Sequence, residues 1–84
     1  MNRHIPTLPY RYFQQLIEEV GELAEAIRKD SRMTAGGGIK VTLEEELYDV
    51  LYYVAALANV YEVDLQQCFE LKEALNAQKY GKAD

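Results

Sequence analysis

From Thr42 to Glu62 the chain reads TLEEELYDVLYYVAALANVYE, and this stretch decides the fold. Leu43, Leu47, Val50, Leu51, Val54, Leu57, Ala58 and Tyr61 recur at the 3-and-4 spacing of one helix face. Tyr48, Tyr52, Tyr53, Ala55, Ala56 and Val60 make most of the remaining surface apolar as well. A helix that is hydrophobic nearly all round is buried on all sides. Its start is marked: Thr42 is a capping residue, and Glu45, three residues on, completes a capping box. The uncharged run from Val50 to Tyr61 is 12 residues long, short of the roughly 20 that span a bilayer. It therefore reads as a helix inside a protein core.

Outward from this helix, two more helices are expected and no strand. The first runs from about Tyr10 to Asp30, with Phe13, Leu16, Ile17, Val20, Leu23, Ala24 and Ile27 as its apolar face. Thr7 or Leu8 would cap it, with Pro9 in the first turn, and Arg28 and Lys29 suit its C-terminal dipole. Residues 31–41, with three consecutive glycines at Gly36, Gly37 and Gly38, form a flexible connection. They are not a phosphate loop, because no strand precedes them and no Gly-Lys-Ser/Thr follows. Asp64 caps a third helix over 65–80, with Gln67 in the capping-box position and Gly81 as its stop.

Three helices and an arm over residues 1–9 cannot cover a second helix that is apolar all round, and a monomer tolerates only a few hundred Å² of such surface. The expected architecture is all-α: a single domain over 1–84 with helices near 10–30, 42–62 and 65–80. A helical hairpin and a third helix complete a four-helix-bundle-type core by oligomerisation, as a homodimer or homotetramer.

Composition narrows the function. Fourteen acidic residues against nine basic ones give a net charge of −5, which argues against a nucleic-acid or anionic-membrane surface. An acidic protein that handles phosphates needs divalent metal to do so. The single cysteine, Cys68, excludes an internal disulfide and a Cys-based zinc site. Residues 1–10 are polar and carry Pro6 and Pro9 where a leader would have its apolar core, so a cytoplasmic protein is expected.

The acids fall in two clusters, Glu18, Glu19, Glu22 and Glu25, then Glu44, Glu45, Glu46 and Asp49. Glu44 and Glu45 suit the first turn of a helix. Asp49 is different: it lies among Leu47, Val50, Leu51, Tyr52 and Tyr53, with Glu46 one turn before it on the same side. Glu19 and Glu22 form a matching i,i+3 pair. Like charges so placed repel, and a buried carboxylate must be neutralised by a proton, a protein cation or a metal. Four oxygen donors on two facing helices match Mg²⁺ or Mn²⁺. Zinc does not fit, since the sole histidine, His4, lies in the arm as an exposed residue. On the third helix Lys72, Asn76 and Lys79 recur at i, i+4 and i+7. That stripe suits a phosphate chain, and a solvated outer face explains it as well.

The strings Glu18-Glu19-Val20-Gly21-Glu22-Leu23 and Glu46-Leu47-Tyr48-Asp49-Val50-Leu51 resemble the E-E-x-x-E and E-x-x-D motifs of the MazG-type nucleoside triphosphate pyrophosphohydrolases. This all-α superfamily includes dimeric dUTPases, dCTP pyrophosphatases and phosphoribosyl-ATP pyrophosphatase. Lys72, Asn76, Lys79 and Tyr80 resemble the family's K-x-x-x-N-x-x-[RK]-[YF] ending. The resemblance implies that Glu19, Glu22, Glu46 and Asp49 are metal ligands and that Glu18 supports them or orients water. It implies that Lys72, Asn76 and Lys79 hold phosphates and that Tyr53 packs against the base. The implied reaction is Mg²⁺-dependent cleavage of a nucleoside triphosphate to the monophosphate and pyrophosphate, in the service of nucleotide-pool house-cleaning. No Ser-His-Asp or Cys-His arrangement competes with it. Two departures stand beside the resemblance: the helix that often precedes the first motif is missing, and so is tryptophan, which some relatives use at the base pocket. The rival readings are a non-catalytic helical oligomerisation module and a phosphoribosyl-ATP pyrophosphatase.

Overall fold

The structure, a computed structural model, describes residues 7–80; the arm through Pro6, including His4, and the expected stop at Gly81 lie outside the described residues. It is all-α: α1 spans Thr7–Lys29, α2 Leu43–Val60 and α3 Leu65–Tyr80, with no strand among the described residues. Helix α1 therefore begins at Thr7 rather than near Tyr10. Pro9 lies in its first turn, where the missing N–H costs nothing.

Thr42 caps α2. Its Oγ1 accepts from the Glu45 N–H at 3.2 Å and donates to the Ile39 carbonyl at 2.5 Å. The reciprocal bond of the capping box is shifted by one residue: the Glu45 carboxylate accepts from the Val41 N–H at 2.6 Å. Val41 sits at φ 53°, the left-handed region that disfavours a β-branched side chain. Glu44 accepts from the Met33 N–H at 2.9 Å, and the Leu43 N–H donates to the Ser31 carbonyl at 2.7 Å. The first turn of α2 thus ties down both ends of the glycine-containing connection. Asp64 caps α3, accepting from the Gln67 N–H at 3.0 Å.

Helices α1 and α2 form an antiparallel hairpin. Glu46 lies beside Glu19, and Tyr53, seven residues later, meets Tyr12, seven residues earlier. The α1 stripe turned toward α2 is Pro9, Tyr12, Leu16, Glu19, Leu23 and Ala26. Leu16 and Leu23 belong to the expected apolar face. Phe13, Ile17, Val20 and Ile27 stay exposed in the single chain, Ile17 at 54%. On α2, Leu47, Tyr48, Leu51 and Tyr52 are likewise exposed, Leu51 at 61%. The hairpin buries one side of α2 only, and its apolar core is thin: among the described residues Ala26 and Ala58 are its buried members.

Helix α3 makes no comparable packing with α1 or α2. The radius of gyration is 17.1 Å, against about 12 Å for a compact chain of this length. Leu65, Phe69, Leu71 and Leu75 of α3 are all exposed. No helix is long and apolar enough to cross a membrane among the described residues.

Candidate metal centre

The hairpin register brings the two acidic motifs together. Glu19 occupies the inward stripe of α1 between Leu16 and Leu23, because it shares their 3-and-4 spacing. Glu46, in the first turn of α2, is buried opposite it, with 7% of its surface exposed. One carboxylate oxygen from each of Glu19, Glu22 and Glu46 lies within 4.8 Å of the others. Asp49, one turn after Glu46 and half-buried, is near enough for its charge to act on both Glu19 and Glu46. Glu18 is exposed and stands outside the trio.

Electrostatics set this cluster apart from the other acids. The Glu19 carboxyl is pushed up from the ordinary 4.5 to about 7, first by burial, then by the charges of Glu22, Asp49 and Glu46. Glu46 is also raised, by burial, Glu22 and Asp49, while a hydrogen bond shared with Glu19 opposes the shift. The interaction between the two carboxyls acts in opposite directions, raising Glu19 and lowering Glu46. Even so, Glu19 Oε1 and Glu46 Oε1 are buried with no hydrogen-bond partner. Orphaned buried carboxylate oxygens cost several kcal/mol in a fold that gains nothing from them. An all-oxygen donor set with two orphaned buried atoms fits a hard divalent cation. Among the described residues no cysteine or histidine joins the group, so it lacks the usual zinc ligands.

An aromatic group flanks the carboxylates on one side. Tyr53 stands 6.2 Å from Tyr12 and 5.0 Å, edge to face, from Tyr52, ring centre to ring centre. Its hydroxyl is held above the usual range by burial, then by the Glu19 charge. On the other side, a depression of about 420 Å³ is lined by Glu22, Glu46, Glu25, Lys29, Ser31 and Val41, among others. Lys72, Asn76 and Lys79 line a separate depression of about 410 Å³ on α3. The stripe is therefore together as expected, but α3 follows the far end of α2, about 20 Å along the helix from Glu46. Sequence reasoning passed over Tyr12, whose signal is its seven-residue spacing from Glu19. It also read Lys29 only as a helix-end charge, although Lys29 follows Glu22 at the same spacing.

Comparison with known proteins identifies the chain's relatives. Residues 9–81 match the family model of the MazG nucleotide pyrophosphohydrolase domain. Mouse (Mus musculus) dCTP pyrophosphatase 1 is 39% identical over 77 residues, covering 86% of this chain and 45% of its own length. The rat (Rattus norvegicus) protein of the same name is 38% identical over the same shares. This chain thus spans less than half the length of those relatives. The crystal structure of C-terminally tagged iMazG from Vibrio DAT 722 superposes with a TM-score of 0.75 at 49% identity, covering 90% of this chain and 96% of that one. The N-terminally tagged form gives 0.75 and 49%, over 95% and 86%. With a three-helix fold, both acidic motifs meeting across a hairpin, and a match over nearly its whole length, the chain belongs to the MazG nucleotide pyrophosphohydrolase domain family.

Proposed function

We propose that this chain is a Mg²⁺-dependent nucleoside triphosphate pyrophosphohydrolase of the cytoplasm, with Mn²⁺ as an alternative ion, acting in nucleotide-pool house-cleaning. It cleaves between the α and β phosphates and releases the monophosphate and pyrophosphate. The observation that carries the reading is the meeting of Glu19, Glu22 and Glu46 within 4.8 Å, two of them with orphaned buried oxygens. The names of the mammalian relatives put dCTP first among the substrates to test.

Glu19, Glu22, Glu46 and Asp49 hold the cation. A divalent cation held there would supply positive charge against the phosphates as the anhydride bond breaks. Glu18, exposed beside Glu19, orients the attacking water. The half-buried Tyr53 ring, backed by Tyr12, offers a face on which a base can stack. Lys72, Asn76 and Lys79 hold phosphate oxygens through charge-assisted hydrogen bonds.

The reading includes assembly as a homodimer or homotetramer. The chain exposes 7020 Å², about 1,900 Å² more than a compact monomer of its mass. Over two copies that surplus comes to about 3,800 Å², within the range of obligate homodimer interfaces. It also accounts for α3, whose stripe needs a second copy to bring it to a cluster it does not reach within one chain.

One assay tests the reading against its rivals: turnover of dCTP, the other dNTPs and phosphoribosyl-ATP by the folded protein, with Mg²⁺, Mn²⁺ and EDTA. Metal-dependent release of pyrophosphate from a dNTP is the expected result. Turnover of phosphoribosyl-ATP alone would reassign the substrate. No turnover of any of them by a folded, assembled protein would leave an oligomerisation module.

A further inference from the structure

We propose that Glu44 is a positioning residue: through its bond to the Met33 N–H it holds the first turn of α2 so that Glu46 meets Glu19 and Glu22. The inference rests on the pyrophosphohydrolase reading and adds to it a residue outside the cluster that sets the cluster's affinity for a cation. Glu46 sits in the first turn of α2, the part of a helix whose N–H groups lack intrahelical partners and which frays first. Its own N–H donates to the Thr42 carbonyl at 3.0 Å. Ahead of it, the Leu43 N–H donates to the Ser31 carbonyl at 2.7 Å and the Glu45 N–H to the Thr42 hydroxyl at 3.2 Å. A ligand on such a turn keeps its place only as firmly as the turn is held.

The three glutamates of that turn act differently. Glu46 is buried in the trio with Glu19 and Glu22, with one oxygen orphaned. Glu45 reaches four residues back, to the Val41 N–H, so its bond stays at the α2 end of the connection. Glu44 takes no part in the trio. It reaches eleven residues back, to the Met33 N–H at 2.9 Å. Together with the bond from Leu43 to Ser31, it ties α2 to the α1 end of the connection. That connection borders the cluster, since Ser31 and Val41 line one depression with Glu22 and Glu46. Slack in it therefore lets Glu46 shift relative to Glu19 and Glu22, which α1 carries. Groups that orient a metal ligand without touching the metal are worth roughly 10–100-fold in affinity.

The test is calorimetric binding of Mg²⁺ to the metal-free protein, beside the Mg²⁺ concentration that gives half-maximal dCTP hydrolysis. Glu44→Ala should weaken both about tenfold, with the KM for dCTP at saturating Mg²⁺ little changed. Met33→Pro removes the donor instead of the acceptor and should reproduce that loss. Glu44→Gln keeps an oxygen that can accept from the Met33 N–H and should bind Mg²⁺ almost as wild type does. A loss in Glu44→Gln as large as in Glu44→Ala makes Glu44 a distant charge and overturns the proposal. Asp64→Ala is the control: it removes a carboxylate and a capping bond of the same kind from α3, and should leave Mg²⁺ binding unchanged. Equal losses in Asp64→Ala and Glu44→Ala, or none in Glu44→Ala, would also overturn it. Thermal melts in EDTA report folding, and if neither Glu44→Ala nor Met33→Pro folds, the bond holds the fold and the positioning role is lost. Mg²⁺ binding that depends on Glu44, without hydrolysis, keeps that role and removes the reaction. Hydrolysis whose metal dependence ignores Glu44 does the reverse. A folded wild type that neither binds Mg²⁺ nor hydrolyses dCTP removes both.

Discussion

Glu19 makes the metal-free protein less stable at neutral pH than at mildly acidic pH, and the size of the effect follows from its environment. Its carboxyl is raised from 4.5 to about 7 in the fold. The folded state therefore binds a proton that the unfolded state has released, and stability must fall as pH rises between those values. The contribution is complete below pH 4.5 and lost above about 7. A shift of this size corresponds to about 3 kcal/mol, and partial access of solvent to Glu19 reduces it to about 2 kcal/mol. Glu46 is shifted the same way and interacts with Glu19, so the two titrate as a coupled pair. Glu25 and Glu44 are shifted downward, by Arg28 and by the Met33 N–H respectively. Their contributions disappear only as pH falls below the ordinary carboxylate range, so the window from pH 5 to 8 isolates the cluster.

In EDTA, the melting temperature should drop by about 10 °C from pH 5 to pH 8, given the 4–8 °C per kcal/mol typical of small domains. Glu19→Gln should flatten that profile and melt above wild type at pH 8. Added Mg²⁺ should reverse the wild-type trend, because the cation competes with protons for the same oxygens and stabilises most where they are bare. Melts of the two proteins at pH 5, 6, 7 and 8, with EDTA and with Mg²⁺, decide it. A flat wild-type profile in EDTA would refute the reasoning. So would a Glu19→Gln variant that melts well below wild type at pH 8, since that outcome makes the carboxylate a structural bond.

Three further expectations use the same proteins and methods. Asp49→Asn and Glu22→Gln should each abolish hydrolysis while keeping or raising stability in EDTA and losing most of the Mg²⁺-induced gain; a large loss of stability in EDTA counts against a ligand role. Leu51→Glu and Tyr52→Glu place a charge on the α2 face that is exposed in one chain, so they should prevent assembly and, with it, stable folding, read by sedimentation and circular dichroism; a folded 9.6 kDa wild-type monomer at micromolar concentration would remove the premise. Val41→Gly should raise stability by about 1 kcal/mol, because Val41 sits at φ 53° with most of its surface exposed, and an unchanged or lower melting temperature would argue against strain there.

The helix starts were legible because capping is local chemistry. Thr42 before Leu43 and Asp64 before Leu65 each satisfy an N–H three residues on, and no distant residue has to cooperate. The pairing of the acidic motifs was legible for a related reason: an i,i+3 acid pair in an apolar setting needs a counter-charge, and the facing helix carried another such pair. The packing face of α1 was not legible. Hydrophobic periodicity groups Phe13, Ile17, Val20 and Ile27 with Leu16 and Leu23, yet of these the hairpin turns only Leu16 and Leu23 inward, beside Tyr12 and Glu19.

Both faces repeat at the same 3-and-4 spacing, so periodicity alone cannot rank them; what distinguishes them is Glu19. A carboxylate placed in a helix–helix interface costs free energy that Leu16 and Leu23 beside it have to offset, and the orphaned oxygens of Glu19 and Glu46 show that the hairpin by itself does not recover it. The richer apolar face is then left for burial elsewhere, as are Leu47, Leu51 and all of α3. A chain of 84 residues can supply a functional interior or a sufficient hydrophobic core, and this one puts its acids inside and its best apolar surface outside. On the proposed function, cation binding at the first and a second copy at the other are two halves of one stability argument. Stability should depend on protein concentration and on Mg²⁺ together, with dilution lowering the melting temperature most in EDTA at pH 8, where the carboxylates are bare and repel.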